Sequence, residues 1–379
     1  MTKSPEKADV LVIGEHPSAY VAATLLRHKT RLSVVHALPA ASGQPDRLVR
    51  INPEFFDLHA LLGPLKRRLP QTAVYGLQFV SEDGQTRSEW RSRATVVTVA
   101  SISRLCRELA KQADQQEVTR IAWGSLVIQQ VDETGADVLI DDKPLRVRGI
   151  IASDSLQEAH RRMLGVPDGW DDQVIHRLTW VAVKGAQKVT LGGKPLAAVS
   201  LDLMEQRAIG WLLPEGDGGQ LMVLEPQGNR GTGATAGPVL RRWADVLVKH
   251  GLLESSDGPE WGDPQTMELP LAGALAREAV ANRTLLIGPA GGFYSASGED
   301  IYPNCWSALH AAEVMKKSLR EEHLQDALNA YRSRWRTTLG DYLRGPQQNL
   351  RFLLPLVYRN PVMTQRLAEA ILLGRSVVR

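Results

Sequence analysis

Apolar and polar positions change rhythm several times along this 379-residue chain. Asp9-Val10-Leu11-Val12-Ile13-Gly14 is a continuous apolar run closed by glycine, the pattern of a central parallel strand buried on both faces. Ser18 to His28 follows with Tyr20, Val21, Ala23, Thr24, Leu25 and Leu26 available to pack on a sheet, and Arg31 to His36 reads as a second strand. In this βαβ start Gly14 precedes His36 by 22 residues. That is close to the separation of the first glycine and the ribose-binding acid in dinucleotide folds.

Helical spacing returns at Ser101 to Ala113, and Ile121 to Val131, Val138 to Asp141 and Leu145 to Ala152 read as strands. From about 166 to 265 short apolar and polar runs alternate among many glycines, predicting a largely antiparallel sheet. One helix interrupts it between Gly237-Pro238 and His250. Thr284-Leu285-Leu286-Ile287 is another buried strand, followed by the glycine-rich stretch Gly288 to Tyr302 and the small-residue helix Ser307-Ala308-Leu309-His310-Ala311-Ala312. A strand, glycine-rich loop and helix in that order leave unpaired backbone N–H groups where the helix dipole favours an anion. From Glu322 onward the chain reads as helical and arginine-rich.

Composition narrows the function classes. With 45 Lys and Arg against 42 Asp and Glu, the net charge of +3 is too small to argue for nucleic acid. Cys106 and Cys305 are the only cysteines, without metal-ligand or disulfide-framework spacing, which predicts a reducing compartment. The polar start Met1 to Lys7 lacks a signal-peptide core, and no apolar run approaches the ~20 residues of a membrane span. A cytoplasmic protein is expected. Peripheral membrane contact stays open through Asn349 to Val357, where Phe352, Leu353, Leu354, Leu356 and Val357 lie between Arg351 and Arg359.

Four stretches, in order, resemble the geranylgeranyl reductase family of FAD proteins and, more distantly, aromatic-ring hydroxylases. Gly14-Glu15-His16-Pro17-Ser18-Ala19 occupies the first glycine-rich turn of that family. Ala152 to Gly165 aligns without a gap to the family's second motif, matching at Asp154, Arg161, Arg162, Leu164 and Gly165. Ile209 to Asp217, with Trp211 and Pro214, is similar to a segment of the substrate domain. The stretch 288–302 keeps Gly288, Gly292, Phe293, Gly298, Glu299, Ile301 and Tyr302 of the flavin-contacting motif, and Tyr331 to Arg336 resembles the helix beyond it.

The resemblance implies an α/β fold: a Rossmann-like FAD-binding domain with an inserted antiparallel substrate domain and a helical C-terminal tail. The implied divisions are FAD domain 1–75, 96–165 and 268–325, substrate hairpin 76–95, substrate domain 166–267 and tail 326–379. The cofactor residues it implies are Gly14, His16, Pro17, Ser18, Ala19, His36, Asp154, Gly288, Pro289, Gly291, Gly292, Gly298, Glu299, Asp300 and Ile301. Substrate contacts fall to Trp211, Pro214, Phe293 and Tyr302. No acid–base residue stands out and no metal site is expected, since His16 and His36 have no third ligand.

The chain departs from the family pattern at places with physical meaning. His16 puts a ring where a glycine lets the pyrophosphate approach. His36 replaces the ribose-binding acid, Pro289 the motif aspartate, Ser155 a glycine and Asp300 another, and the arginine ahead of the 101–113 helix has no counterpart. These changes predict FAD binding that is weakened, altered or abandoned. The leading expectation is a FAD-dependent oxidoreductase reducing a double bond of an isoprenoid or other apolar lipid. The alternative is a non-catalytic member that has lost FAD and binds a lipid or protein partner.

Overall fold

The structure, a computed structural model, describes residues 6–41, 45–166, 170, 175–184, 190–191, 193–206, 208–226, 236–254, 262–271, 279–344 and 350–375. The first apolar run forms strand β1 (Lys7–Ile13), followed by helix α1 (Pro17–Arg27) and strand β2 (Val34–Pro39). Val10 to Ile13 are completely buried, as a strand covered on both faces requires. Three more parallel strands join them: Thr119–Trp123 beside β2, Lys143–Ala152 on the other side of β1, and Thr284–Leu286 beyond that. In chain order the five run 3-2-1-4-5, the doubly wound arrangement whose ligand crevice opens where the order reverses, at the carboxyl ends of β1 and its neighbour. Gly14, Ser153 and Gly288 therefore come to one edge. The expected Ile121–Val131 strand is two strands, Thr119–Trp123 and Leu126–Val131, the second in an antiparallel meander with Ala136–Ile140.

A seven-stranded sheet stands beside this domain, ordered Gln265–Pro270, Ile175–Lys184, Gly218–Pro226, Ala208–Glu215, Ala197–Asp202, Gly76–Val80 and Arg87–Arg91. Its pairings are antiparallel apart from Ala197–Asp202 with Gly76–Val80. Side-chain alternation gives it two buried faces. Leu212, Leu221 and Val223 pack under Trp243 and Leu247 of the helix Ala236–Lys249. Trp211, Leu213, Met222 and Leu224 face the other way, toward Tyr294 and the last two helices, Leu350–Arg359 and Pro361–Leu373.

Those helices contain most of the apolar C-terminal stretch. Leu354 and Val357 belong to the apolar cluster against the sheet and Leu353 is buried, while Pro355 and Leu356 are exposed. Asn349 lies outside the described residues. Among the described residues no helix is long and apolar enough to cross a membrane.

Candidate functional site

The crevice at the strand ends is built from two helix starts and one short strand. At the first, Gly14 has φ +130°, and an added Cβ would fall 1.9 Å from Asp154 Oδ1. Asp154 follows the fourth parallel strand, and its Oδ1 accepts from the backbone N–H of His16 at 3.2 Å. The N–H that a glycine-rich turn presents to an anion is thus taken by an internal carboxylate. Burial pushes the Asp154 pKa up, opposed by His16 and by the backbone N–H groups of His16 and Glu15.

His16 is 1% exposed and caps α1. Its Nδ1 accepts from Ser18 N at 3.2 Å and lies 2.8 Å from Ser18 Oγ. Ser18 Oγ in turn lies 2.6 Å from Ser153 Oγ. A Cβ on Gly288 (φ +56°) would sit 2.3 Å from Ser18 Oγ, so three strand ends meet with no room for a side chain. Pro17 and Ala19 are buried in the first turn of α1. His36 does not face outward toward a ribose. It is fully buried under the turn, with Nε2 donating to the Gly14 carbonyl at 2.9 Å and its ring edge-on to Tyr20. Burial lowers its pKa to about 4, so the ring is neutral at physiological pH.

The second helix start belongs to the long helix Ile301–Ser318. Glu299 Oε1 accepts from the backbone N–H of Tyr302 at 2.8 Å, and Oε2 accepts from the Tyr342 hydroxyl at 3.0 Å. Burial pushes the Glu299 pKa up to about 8, aided by Asp300 and opposed by the Tyr302 N–H and Arg50. Asp300 pairs with Arg47, both side chains under 5% exposed, and lies 3.7 Å from His16 Nε2. Burial works to raise the Asp300 pKa, but Arg47 and His16 outweigh it and hold the group at about 2. Arg47, His16 and Asp300 therefore close the gap between the two helix starts.

Arg50, on strand β3 (Leu48–Ile51), fills the side facing the antiparallel sheet. Its guanidinium lies 3.8 Å from the Trp211 ring centroid, and Nη2 donates to the Ser297 carbonyl at 2.6 Å. Burial lowers its pKa to about 10. The void lined by Arg47, Arg50, Trp211, Met222, Glu299 and Asp300 measures about 20 Å³. That is water-sized, against the ~300–1,000 Å³ of small-molecule pockets.

Of the residues expected to touch substrate, Trp211 borders this void. Phe293 points away from the sheet, edge-on to Trp335 at 5.5 Å. Tyr302 donates to Glu54 at 2.8 Å and packs against Trp306 and Tyr342. Pro214 alternates to the opposite face from Trp211. Pro289 and Gly291 form one helical turn ended by Gly292, Gly298 lies against Leu224, and Ile301 is core. Arg47, Arg50 and Tyr342 were not singled out in the sequence. Arg50 sits inside Leu-Val-Arg-Ile, a charged residue in an otherwise apolar strand, and that was the available signal.

No protein-family model and no curated protein matches the sequence. Solved structures match over nearly its whole length. A geranylgeranyl bacteriochlorophyll reductase-like protein from Thermoplasma acidophilum has a TM-score of 0.72 at 15% identity, covering 96% of this chain and 88% of that one. The flavin-dependent brominase Bmp2 gives 0.69 at 15% identity, covering 97% and 93%. PqsL, a probable FAD-dependent monooxygenase from Pseudomonas aeruginosa, gives 0.67 at 17% identity, covering 95% and 99%. The chain has the fold of these flavoproteins. Identity this low carries the fold and leaves the chemistry to the site.

Proposed function

We propose that this chain is a flavin-free, non-catalytic member of the flavoprotein fold, a binding protein whose cofactor crevice is closed by its own side chains. One observation supports this above all. The helix starts that the fold aims at an anion have internal carboxyl acceptors, Asp154 and Glu299, and the buried Arg47–Asp300 pair with His16 spans the gap between them.

The residues present do not fit FAD laid across this edge. A pyrophosphate on the turn would set its charge against Asp154 and Asp300 and would have to expel the His16 ring from a site with 1% exposure. The adenosine end would meet His36 with its donor nitrogen already committed to Gly14. At the ring end Arg50 lies on Trp211 beside a water-sized void. Reduction of an isoprenoid double bond would also need an apolar cavity beside the 288–302 loop. The void between that loop and the sheet side chains Leu178, Trp211, Leu213, Met222 and Leu224 holds only about 20 Å³, too little for an isoprenoid chain. A lipid or protein partner is then engaged at the outer surface.

Titration with FAD tests the reading. Wild-type protein should not bind FAD at micromolar concentration. His16→Gly/Asp300→Gly removes the ring and one opposing charge and frees Arg47 for phosphate, so it should gain affinity. Tight binding by the wild type would overturn the proposal.

A further inference from the structure

The amino-terminal edge of the parallel sheet carries a feature unrelated to the crevice. Lys29 and Arg31 lie in the turn after α1, Arg148 on the strand Lys143–Ala152, and Lys316 and Arg320 at the end of the long helix. They are far apart in sequence, yet the topology gathers all five around one hollow of about 560 Å³. Leu32 and Leu319 supply its apolar floor. The long helix has 18 residues, so the hollow lies roughly 27 Å from its start at Asp300.

Charge accounting leaves this hollow strongly positive. Of the five cations only Arg148 is ion-paired among the described residues, its Nη1 bonded to Asp9 at 3.2 Å, and Asp9 also accepts from Ser33 N at 2.8 Å. Arg148 is held in place by its second nitrogen, which donates to the Leu319 carbonyl at 2.6 Å. Glu313, the other acid near Lys316, is bonded to Arg334 at 2.6 Å. Among the described residues the side chains of Lys29, Arg31 and Arg320 have no ion-pair partner. Burial lowers the pKa of half-buried Lys316, and neighbouring Arg320 adds to this against Glu313. Like charges crowded around a hollow are relieved by a bound anion.

We propose that this hollow is a binding site for a phosphate-bearing polyanion. Arg31 and Arg320 offer planar forks that match phosphate oxygens, while Arg148, its terminal nitrogens engaged by Asp9 and the Leu319 carbonyl, adds positive charge with the two lysines. The volume suits several phosphates or a phosphate with an organic body rather than a lone ion. That chemistry is shared by a free phosphorylated metabolite and by the headgroup of an anionic lipid.

The test uses full-length protein at low ionic strength with two probes, tripolyphosphate in calorimetric titration and phosphatidylglycerol vesicles in co-sedimentation, phosphatidylcholine vesicles serving as blank. Binding to at least one probe is expected, weakening as salt is added. Lys29→Glu/Arg31→Glu should lower affinity about tenfold or more with the unliganded melting midpoint unchanged, because both side chains are exposed and unpaired. Arg67→Glu/Arg68→Glu, exposed residues elsewhere with the same change in net charge, should bind like the wild type. Binding of tripolyphosphate assigns a free phosphorylated ligand, and binding of vesicles alone assigns a headgroup. Failure of both probes, or equal losses in the two charge-reversal variants, overturns the proposal.

Discussion

Breaking the Arg47–Asp300 pair is the sharpest structural perturbation available. Arg47 and Asp300 have side chains 4% and 3% exposed, so each is nearly without water once its partner is removed. The Asp300 pKa falls from 3.8 to about 2, which by linkage corresponds to roughly 2 kcal/mol of stability. That contribution is present above the unfolded pKa and is lost as pH falls through about 2. Arg47→Met does more than erase it, because it strands a buried carboxylate. The expected cost at pH 7 is about 3–5 kcal/mol. Arg47→Met/Asp300→Leu removes the stranded charge and should recover at least ~2 kcal/mol of that loss. The single variant should also regain stability as pH is lowered, because Asp300 without Arg47 protonates more readily. Equilibrium urea unfolding followed by tryptophan fluorescence measures all four corners of the cycle. A single-variant cost under ~1 kcal/mol with no coupling is the signature of a solvated pair. It would refute the claim that these side chains seal the crevice.

Further outcomes follow from the same geometry. Glu299, pushed up to about 8, holds its proton in the folded chain while an unfolded carboxyl has lost it, so it erodes stability as pH rises from about 4.5 to 8. Glu299→Gln should flatten that slope in pH-dependent denaturation. His36, lowered to about 4, acts in the opposite sense: stability is lost as pH falls from about 6.5 toward 4, and His36→Leu should remove that loss. Gly14→Ala, with φ +130° and a Cβ driven into Asp154, should cost about 1–3 kcal/mol in the same unfolding assay.

The parallel core was legible because burial on both faces writes itself as unbroken apolar runs such as Val10 to Ile13. The glycine at Gly14 marked the turn at its end. The antiparallel sheet was legible from its alternation. The side-chain cluster at the crevice was not, because its parts lie up to 253 residues apart: Asp300 reads as a lost glycine until Arg47 is seen beside it. His36 reads as a ribose acceptor by spacing alone, and only the register of β1 with β2 shows the ring turned back to Gly14. The apolar stretch around Leu353 to Val357 has the composition of a membrane-facing helix, and only the fold shows that Leu354 and Val357 join the apolar cluster of the antiparallel sheet while Leu356 stays exposed. Lys29, Arg31, Arg148, Lys316 and Arg320 read as scattered charges until the fold draws them together.

A crevice filled by side chains in place of FAD leaves the protein without flavin absorption. The visible absorption spectrum of the full-length protein as isolated, repeated after incubation with excess FAD and desalting, tests it most directly. A colourless protein is expected in both cases. Flavin bands that survive desalting, in stoichiometric amount, would contradict it.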